Sequence, residues 1–343
     1  MDQDMNKPAA QRPARQPGGV QALLSSEIGQ LSALALVIFV VMAALDPSRF
    51  LTTGNFSSMA FQFPEFAILS LAMMLSMMTG GIDLSVVGVS NLAAVVAALI
   101  LSALAGPQAL GLAAGATIAL AIAAALLVGA LCGLLNGVII GVFGLPPILA
   151  TLGSGLIFTG LAVAITGGSA VLGFPPAFAF LGNGAVFGVP MPLIVFVVIA
   201  AVVWLVLERT ALGLRIQMLG TNPLAARFAG IDDLAVTVRT YLLSGIFSAA
   251  AGLVIMSRAN SAKADYGSSY LLLSILICVL GGINPYGGFG RVAGLVLAVL
   301  SLQFLSSGLN MLQVSNFAKE LIWGGLLLAV MVANGIQFSR KRR

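Results

Sequence analysis

Between Leu84 and Leu207 the chain contains no Asp, Glu, Lys or Arg, an uncharged stretch of 124 residues. A helix of about 20 apolar residues spans a bilayer core, so this stretch is long enough to cross a membrane several times. Within lipid, the backbone polar groups must be satisfied inside helices or closed barrels. The apolar residues run continuously here instead of alternating with polar ones, as barrel strands would require. The stretch therefore predicts several transmembrane helices.

The composition of the whole chain extends this prediction. Of 343 residues, 59% are hydrophobic and 8% are charged, whereas about 25% are charged in an ordinary soluble domain. We therefore predict an all-α polytopic membrane protein. The stretch 132–147 either extends the fourth helix or forms a broken element, so the count lies between nine and eleven. Breaks at polar, Gly/Pro and charged clusters favour ten transmembrane helices, near 28–45, 57–79, 85–105, 111–131, 148–166, 192–207, 240–257, 270–282, 292–312 and 318–336.

The distribution of Lys and Arg predicts the orientation of these helices. An even number of helices puts both termini on one side, and the cytoplasmic side carries the excess of cations. That side would hold twelve of the sixteen Lys and Arg residues if it includes both tails, 208–239 and 283–291. We expect a disordered cytoplasmic tail at 1–27, a transmembrane domain at 28–336, and a basic cytoplasmic tail at 337–343. Basic tails beside an anionic leaflet fix orientation, so no nucleic-acid partner is implied.

Several residue types that catalysis or cofactor binding would need are missing. The chain has no histidine, and its two cysteines, Cys132 and Cys278, stand alone in apolar segments. Metal clusters, His-based catalysis and a disulfide framework are therefore not expected. No Gly-Lys dipeptide occurs, so the chain has no phosphate-binding loop of the G-x-x-x-x-G-K-[ST] type. We expect no cofactor and no enzymatic activity, and any ATP would have to be bound by another chain.

Two similar Gly-Gly stretches fall on the predicted cytoplasmic side. They are "TGGIDLSVVGVS" at 79–90 and "LGGINPYGGFG" at 280–290. Glycine ends a helix where a left-handed residue is needed, and Asp or Asn caps the next one. Each stretch is predicted to form a tight capped turn, with or without a further role. Six predicted helices separate the two turns, an even number that gives them the same orientation and suggests a parallel internal duplication. The turn-motif residues are Gly80, Gly81, Asp83, Gly281, Gly282 and Asn284.

The motif "TGGIDLSVVGVS" resembles the signature of monosaccharide (ribose-type) ABC importer permeases, which belong to the branched-chain amino acid/ribose permease superfamily. "ERTALGLRIQMLGTNPLAARFAGID" at 208–232 is similar to the large cytoplasmic loop of that family. "VLGGINPYGGFGRVAGLVLAVLSLQFLSSGLNML" at 279–312 is similar to its C-terminal region. The resemblance covers roughly 57–335. Val86 and Val87 precede Gly88 where the family usually has Ser-Val-Gly, so the particular sugar remains open.

The resemblance implies a permease subunit in a bacterial inner membrane. Its partners would be a second permease subunit in a homo- or heterodimer, an ABC ATP-binding protein and an extracytoplasmic solute-binding protein. The substrate would be a small neutral sugar or a similar polyol. The alternatives are a permease for branched-chain amino acids and an ion-coupled secondary transporter. The latter usually needs a carboxylate deep in the membrane, whereas Asp83, Glu65, Glu208 and Glu320 all map near the ends of predicted helices.

The loop 208–239 is the predicted coupling element toward the ATP-binding protein. Thr221 or Asn222 can cap a short helix that Pro223 opens and Gly230 ends. About two turns of helix are too short to be stable alone, so we expect packing on a partner, with Arg227 paired to an acidic group there. The candidate coupling residues are Asn222, Ala225, Ala226, Arg227, Phe228 and Gly230.

The substrate path is predicted from polar residues within apolar helices, which are costly to leave facing lipid. Each of them has an alternative role in hydrogen bonding between helices. The candidates are Asn91, Asn136, Thr151, Ser154, Gln303, Ser307 and Asn310.

Overall fold

The computed structural model describes the backbone of residues 26–108 and 110–341, and side chains within these ranges except at 27 and 333–341. The tail predicted at 1–27 lies outside the described residues apart from its last two positions. Of the basic tail predicted at 337–343, residues 342–343 lie outside them, and the backbone of 337–341 continues the last helix.

Fourteen helices and one short hairpin make up the described part of the chain. The hairpin pairs β1 (Ala185–Val186) with β2 (Val189–Pro190) in antiparallel register. The helices are α1 (Glu27–Leu45), α2 (Pro47–Phe50), α3 (Thr53–Met78), α4 (Val86–Leu104), α5 (Gly111–Phe143), α6 (Pro147–Thr166), α7 (Pro176–Asn183), α8 (Met191–Arg209), α9 (Ala211–Thr221), α10 (Pro223–Phe228), α11 (Asp233–Ala259), α12 (Tyr270–Leu280), α13 (Val292–Met311) and α14 (Asn316–Lys341).

Each of the ten predicted transmembrane segments coincides with a helix. Within residues 26–108 and 110–341, eight helices are long and apolar enough to cross a membrane: α1, α3, α4, α5, α6, α8, α11 and α13. The other two segments correspond to the shorter apolar helix α12 and to α14. The stretch 132–147 extends the fourth predicted helix, because α5 runs unbroken to Phe143 and ends at Gly144, which is left-handed. The chain is an all-α polytopic membrane protein.

Helix α3 forms the centre of the bundle. It packs against α8, α11, α12 and α13, and its residues from Phe63 to Met78 are buried. The hydroxyls of Ser70 and Ser76 donate to the carbonyls of Phe66 and Met73 in their own helix, so these polar groups are satisfied inside the core. Large apolar side chains on α5, α6 and α8 are exposed. These surfaces suit contact with lipid rather than water.

The two ends of the bundle gather different loops. At one end the backbone N–H of Gly288 donates to Met78 O at 3.0 Å, which joins the loops after α3 and α12. At the other end Val171 and Ala262 form an isolated antiparallel bridge. The predicted cytoplasmic loops therefore meet at the first end, and the predicted outer loops meet at the second.

Candidate functional site

The two Gly-Gly turns use the same helix-ending motif, displaced by one residue. Gly80 (φ 87°) is left-handed after α3, and the next N–H, of Gly81, donates to Ser76 O at 3.1 Å. After α12 the left-handed residue is the second glycine, Gly282 (φ 78°), and the next N–H, of Ile283, donates to Cys278 O at 3.0 Å. Glycine ends both helices, as predicted. The internal duplication stays a prediction, because the two turns are out of register.

The prediction that Asp83 and Asn284 cap the following helices is wrong. Each side chain instead accepts the backbone N–H two residues later, from Ser85 at 3.0 Å and from Tyr286 at 3.1 Å, which makes an Asx turn. Helix α4 begins after Ser85 without a side-chain cap, and α13 begins only after Arg291. The short polar side chains therefore order the turns and leave the helix N-termini to other contacts.

The Asp83 carboxylate is buried in a cluster of hydroxyl and amide groups. Its Oδ1 accepts the hydroxyl of Ser85 at 2.6 Å, and its Oδ2 accepts the hydroxyl of Ser244 at 2.9 Å. Asn136 Nδ2 in turn donates to Ser85 Oγ at 2.7 Å. None of the ion pairs formed within the described residues involves Asp83. Burial raises the pKa of the Asp83 carboxyl, and the hydrogen bonds from Ser85 and Ser244 offset part of this rise.

Three predicted path residues instead tie helices and turns together. Asn91 Nδ2 donates to Ala264 O at 2.9 Å, and Asn136 belongs to the cluster around Asp83. Thr151 Oγ1 accepts the backbone N–H of Leu84 at 3.0 Å. All three side chains are buried, with their polar groups turned to the protein. This arrangement matches the alternative role of hydrogen bonding between helices.

Three other path residues, Gln303, Ser307 and Asn310, line a cavity of about 300 Å³ at the opposite end of the bundle. We call this the outer cavity. It lies between the first half of α3 and the second half of α13. Its lining is mostly neutral and polar, with two methionines and one arginine: Arg49, Asn55, Met59, Gln62, Gln303, Ser307, Asn310, Met311 and Gln313.

The side-chain amides that line the outer cavity differ in whether they form hydrogen bonds within the protein. Ser307 Oγ donates to Asn55 Oδ1 at 2.7 Å, and Asn310 Oδ1 accepts a hydrogen bond from Lys319 Nζ. Gln62 and Gln303 form no hydrogen bond with any part of the chain that the structure describes. Their amides, one on α3 and one on α13, are therefore available to a ligand as donors and acceptors.

The placement of Glu65 near the end of a helix was wrong. It lies midway along α3 and is only 4% exposed. Its Oε1 lies 2.6 Å from Arg258 Nε, and the hydroxyl of Tyr270 donates to Oε2 at 2.7 Å. The two partners come from α11 and α12, which are distant from Glu65 in the sequence. The hydropathy of the residues around Glu65 therefore does not indicate this ion pair. Glu65 is thus a buried charge with a fixed partner.

At the other end, the predicted coupling loop is largely helical. Asn222 Oδ1 accepts the backbone N–H of Ala225 at 3.0 Å, Pro223 opens α10, and Gly230 follows its end with φ 79°. The predicted short helix is therefore confirmed, including its cap. It lies between α9 and the first turns of α11, which occupy the rest of 208–239.

The side chains of α10 face in different directions. Ala226 is 1% exposed and packs on its own chain, whereas Phe228 is 86% exposed. Arg227 Nε pairs with Asp233 of the same chain. Ala225 and Phe228 are free to meet a partner, but Ala226 is not, and the Arg227 guanidinium already has an acidic neighbour. The coupling role of these residues stays a prediction.

The predicted coupling loop touches the connections that follow α3 and α12 through glycine backbone. A Cβ atom built on Gly220, near the end of α9, would lie 2.0 Å from Met78 O and 2.5 Å from Gly288 N. A Cβ on Gly287 would lie 2.7 Å from Gly220 O and 2.8 Å from Gly80 N. We call this contact the glycine junction. It fixes α9 directly against the loops that follow α3 and α12.

The described residues form an all-α membrane bundle with a polar cavity at one end and a short helical segment at the other, an arrangement that suits a membrane transport protein. The chain matches the model of the family described as "Branched-chain amino acid transport system / permease component" over residues 55–331. It therefore belongs to this family of ABC importer permeases, which are multi-pass proteins of the bacterial inner membrane. ATP-binding and solute-binding partners follow from this membership.

Curated relatives cover nearly the whole chain. The ribose import permease protein of Bacillus subtilis strain 168 is 33% identical over 86% of this chain and 89% of its own. The D-allose transport system permease protein of Escherichia coli strain K12 is 29% identical over 90% and 92%. The autoinducer 2 import system permease protein of Yersinia pseudotuberculosis serotype O:1b is 32% identical over 90% and 91%. Comparison with solved structures gave no significant match.

Proposed function

We propose that this permease carries a small neutral sugar or a similar polyol, delivered by a solute-binding protein, through the outer cavity toward the cytoplasm. The observation that carries the proposal is that the side-chain amides of Gln62 and Gln303, which form no hydrogen bond with the described residues, both line a cavity of about 300 Å³. Sugar hydroxyls are both donors and acceptors, as are amides. The volume lies at the lower end of the range for small-ligand sites, about 300–1,000 Å³.

The lining favours a neutral substrate over an amino acid. A zwitterion would present an ammonium group, whose charge needs an anionic partner when it leaves water. The lining of the outer cavity contains no carboxylate, and its one charged residue is Arg49. The relatives named for ribose, D-allose and autoinducer 2 support the same choice. A permease for branched-chain amino acids remains the alternative that the family description itself suggests.

An ion-coupled carrier fits the structure less well. Coupling to protons or sodium works through a change of charge at a membrane-buried group. Glu65 is such a group, but Arg258 and Tyr270 already hold its two carboxylate oxygens. Breaking that pair would strand a buried charge. We propose instead that ATP hydrolysis on a separate chain drives transport, with a second permease subunit completing the membrane part.

Uptake by the complete importer in proteoliposomes tests the proposal. D-Ribose and D-allose are tested as sugar substrates, and leucine is tested as the branched-chain amino acid alternative. Each substrate is supplied with a solute-binding protein that binds it. We expect ATP-dependent sugar uptake that Gln303→Leu reduces and that Gln30→Leu leaves unchanged, since Gln30 lies on α1 outside the cavity. Uptake of leucine alone would overturn the sugar assignment. Uptake driven by an ion gradient without ATP would overturn the mechanism.

A further inference from the structure

A second cavity, of about 250 Å³, opens between α9 and the start of α11 beside the coupling segment. Its charged lining residues are Arg215 on α9, Arg239 on α11 and Asp232 at the N-cap of α11. We call it the arginine cavity. Asp232 Oδ1 is occupied, because it accepts the backbone N–H of Ala235 at 3.0 Å. Two guanidinium groups against one carboxylate leave the cavity with a net positive charge.

Neither arginine is used inside the chain. Arg215 and Arg239 form no hydrogen bond or ion pair with the residues that the structure describes. In contrast, Arg227 is paired with Asp233, so it is not a free cation for a partner. The sequence pattern singled out Arg227, whereas the fold leaves the guanidinium groups of Arg215 and Arg239 without a partner among the described residues.

An exposed apolar face lies next to this cavity. Leu224 and Phe228, four residues apart on α10, share one side of that helix and are 63% and 86% exposed. Gly230, which lines the cavity, connects α10 to α11. Aromatic residues and arginines are enriched at protein interfaces. The combination fits a protein surface that presents an apolar groove next to an acidic side chain.

We propose that the arginine cavity receives a carboxylate side chain of the ATP-binding subunit, while Leu224 and Phe228 fill an apolar groove beside it. The inference rests on the proposed function and adds the charged contact that positions the ATP-binding subunit. The planar guanidinium fork matches a carboxylate by two parallel hydrogen bonds. A phosphate of an anionic lipid headgroup would offer similar oxygens, so the test must separate the two.

The test measures binding of the ATP-binding subunit to the full-length permease in nanodiscs. The variants are the double variant Arg215→Gln/Arg239→Gln and, as a matched control, Arg291→Gln, an exposed arginine of the same predicted side outside the cavity. Each protein is prepared in phosphatidylcholine alone and in phosphatidylcholine with phosphatidylglycerol. The double variant Arg215→Lys/Arg239→Lys keeps both charges without the fork, and thermal unfolding confirms that all variants are folded.

In phosphatidylcholine alone, we expect the double Gln variant to bind the ATP-binding subunit about tenfold or more weakly than the wild type. Its affinity should also lose most of the salt dependence seen with the wild type. The double Lys variant should lose less affinity, and the control should bind as the wild type does. Equal binding by the Gln variant and the wild type would overturn the inference. A loss seen only with phosphatidylglycerol would also overturn it, in favour of a lipid headgroup. If the wild type bound no ATP-binding subunit at all, the proposed function itself would fail.

Discussion

Helices α5 and α11 pack closely against each other along a row of glycines on α5. Gly129, Gly133, Gly137 and Gly141 recur every four residues along one face of α5. A Cβ atom on Gly133 would lie 2.2 Å from Tyr241 O. This is about 1.2 Å shorter than the 3.4 Å at which ordinary contact begins. Small residues at this spacing let helix backbones pack closely in membranes.

The change Gly133→Ala should therefore destabilise the fold by about 2 kcal/mol. Overpacking typically costs about 1–3 kcal/mol, and the upper part of this range applies because the obstacle is backbone rather than a flexible side chain. The better helix propensity of alanine offsets up to about 1 kcal/mol. The added methyl group must push α5 and α11 apart, which also strains the neighbouring contact between Gly129 and Gly245.

The free energy of unfolding in mixed detergent micelles measures this effect. The matched control is Gly115→Ala on the same helix, where a Cβ would meet nothing within 4 Å. This control should be as stable as the wild type or slightly more so, because only the propensity gain remains. If Gly133→Ala and Gly115→Ala unfolded with the same free energy, close packing of α5 on α11 would not stabilise the protein.

Substitutions at three further positions test the other sites. Asp83→Asn should be about as stable as the wild type. Asp83→Ala should lower the free energy of unfolding by about 1–3 kcal/mol, because it leaves the buried donors around Asp83 without an acceptor. Thermal unfolding compares the two variants. Since burial raises the pKa of Asp83, wild-type stability should fall as pH rises above the ordinary value of 3.8, and Asp83→Asn should remove this slope in a pH series. Gly220→Ala should lower substrate-stimulated ATP hydrolysis, because its methyl would collide with Met78 and Gly288; unchanged hydrolysis would contradict the junction. The free energy of unfolding of Phe228→Ala should lie within about 0.5 kcal/mol of the wild-type value, because the side chain is exposed. The variant should nevertheless bind the ATP-binding subunit more weakly.

Local rules account for what the sequence predicted well. Each of the ten segments is helical because a continuous apolar run in a membrane must satisfy its own backbone hydrogen bonds, and polar or Gly/Pro clusters separate the runs. The short helix α10 formed as expected because Asn222, Pro223 and Gly230 act on their immediate neighbours. The Gly-Gly pairs ended α3 and α12 for the same reason. In these places the deciding interactions span only a few residues.

Interactions between distant segments account for what the sequence missed. Nothing local to Gln62 indicates that it lines the same cavity as Gln303, and nothing local to Glu65 indicates Arg258 as its partner. Asn284 does not cap α13, because its side chain accepts the N–H of Tyr286 in an Asx turn and α13 begins only at Val292. Arg215 and Arg239 are 24 positions apart in the sequence and line one cavity only because α9 packs against α11.

Helix α3 connects the two functional ends through the core. Gln62 faces the outer cavity, and Met78, 16 residues further on, contributes the carbonyl at the glycine junction. At 1.5 Å per residue these positions are about 24 Å apart along the helix. The residues of α3 from Phe63 to Met78 are buried, whereas Pro64 removes one backbone hydrogen bond beside Gln62. Because close packing resists deformation inside the buried segment, we expect a displacement at Gly220 to shift this segment and to bend α3 at the proline, next to the outer cavity.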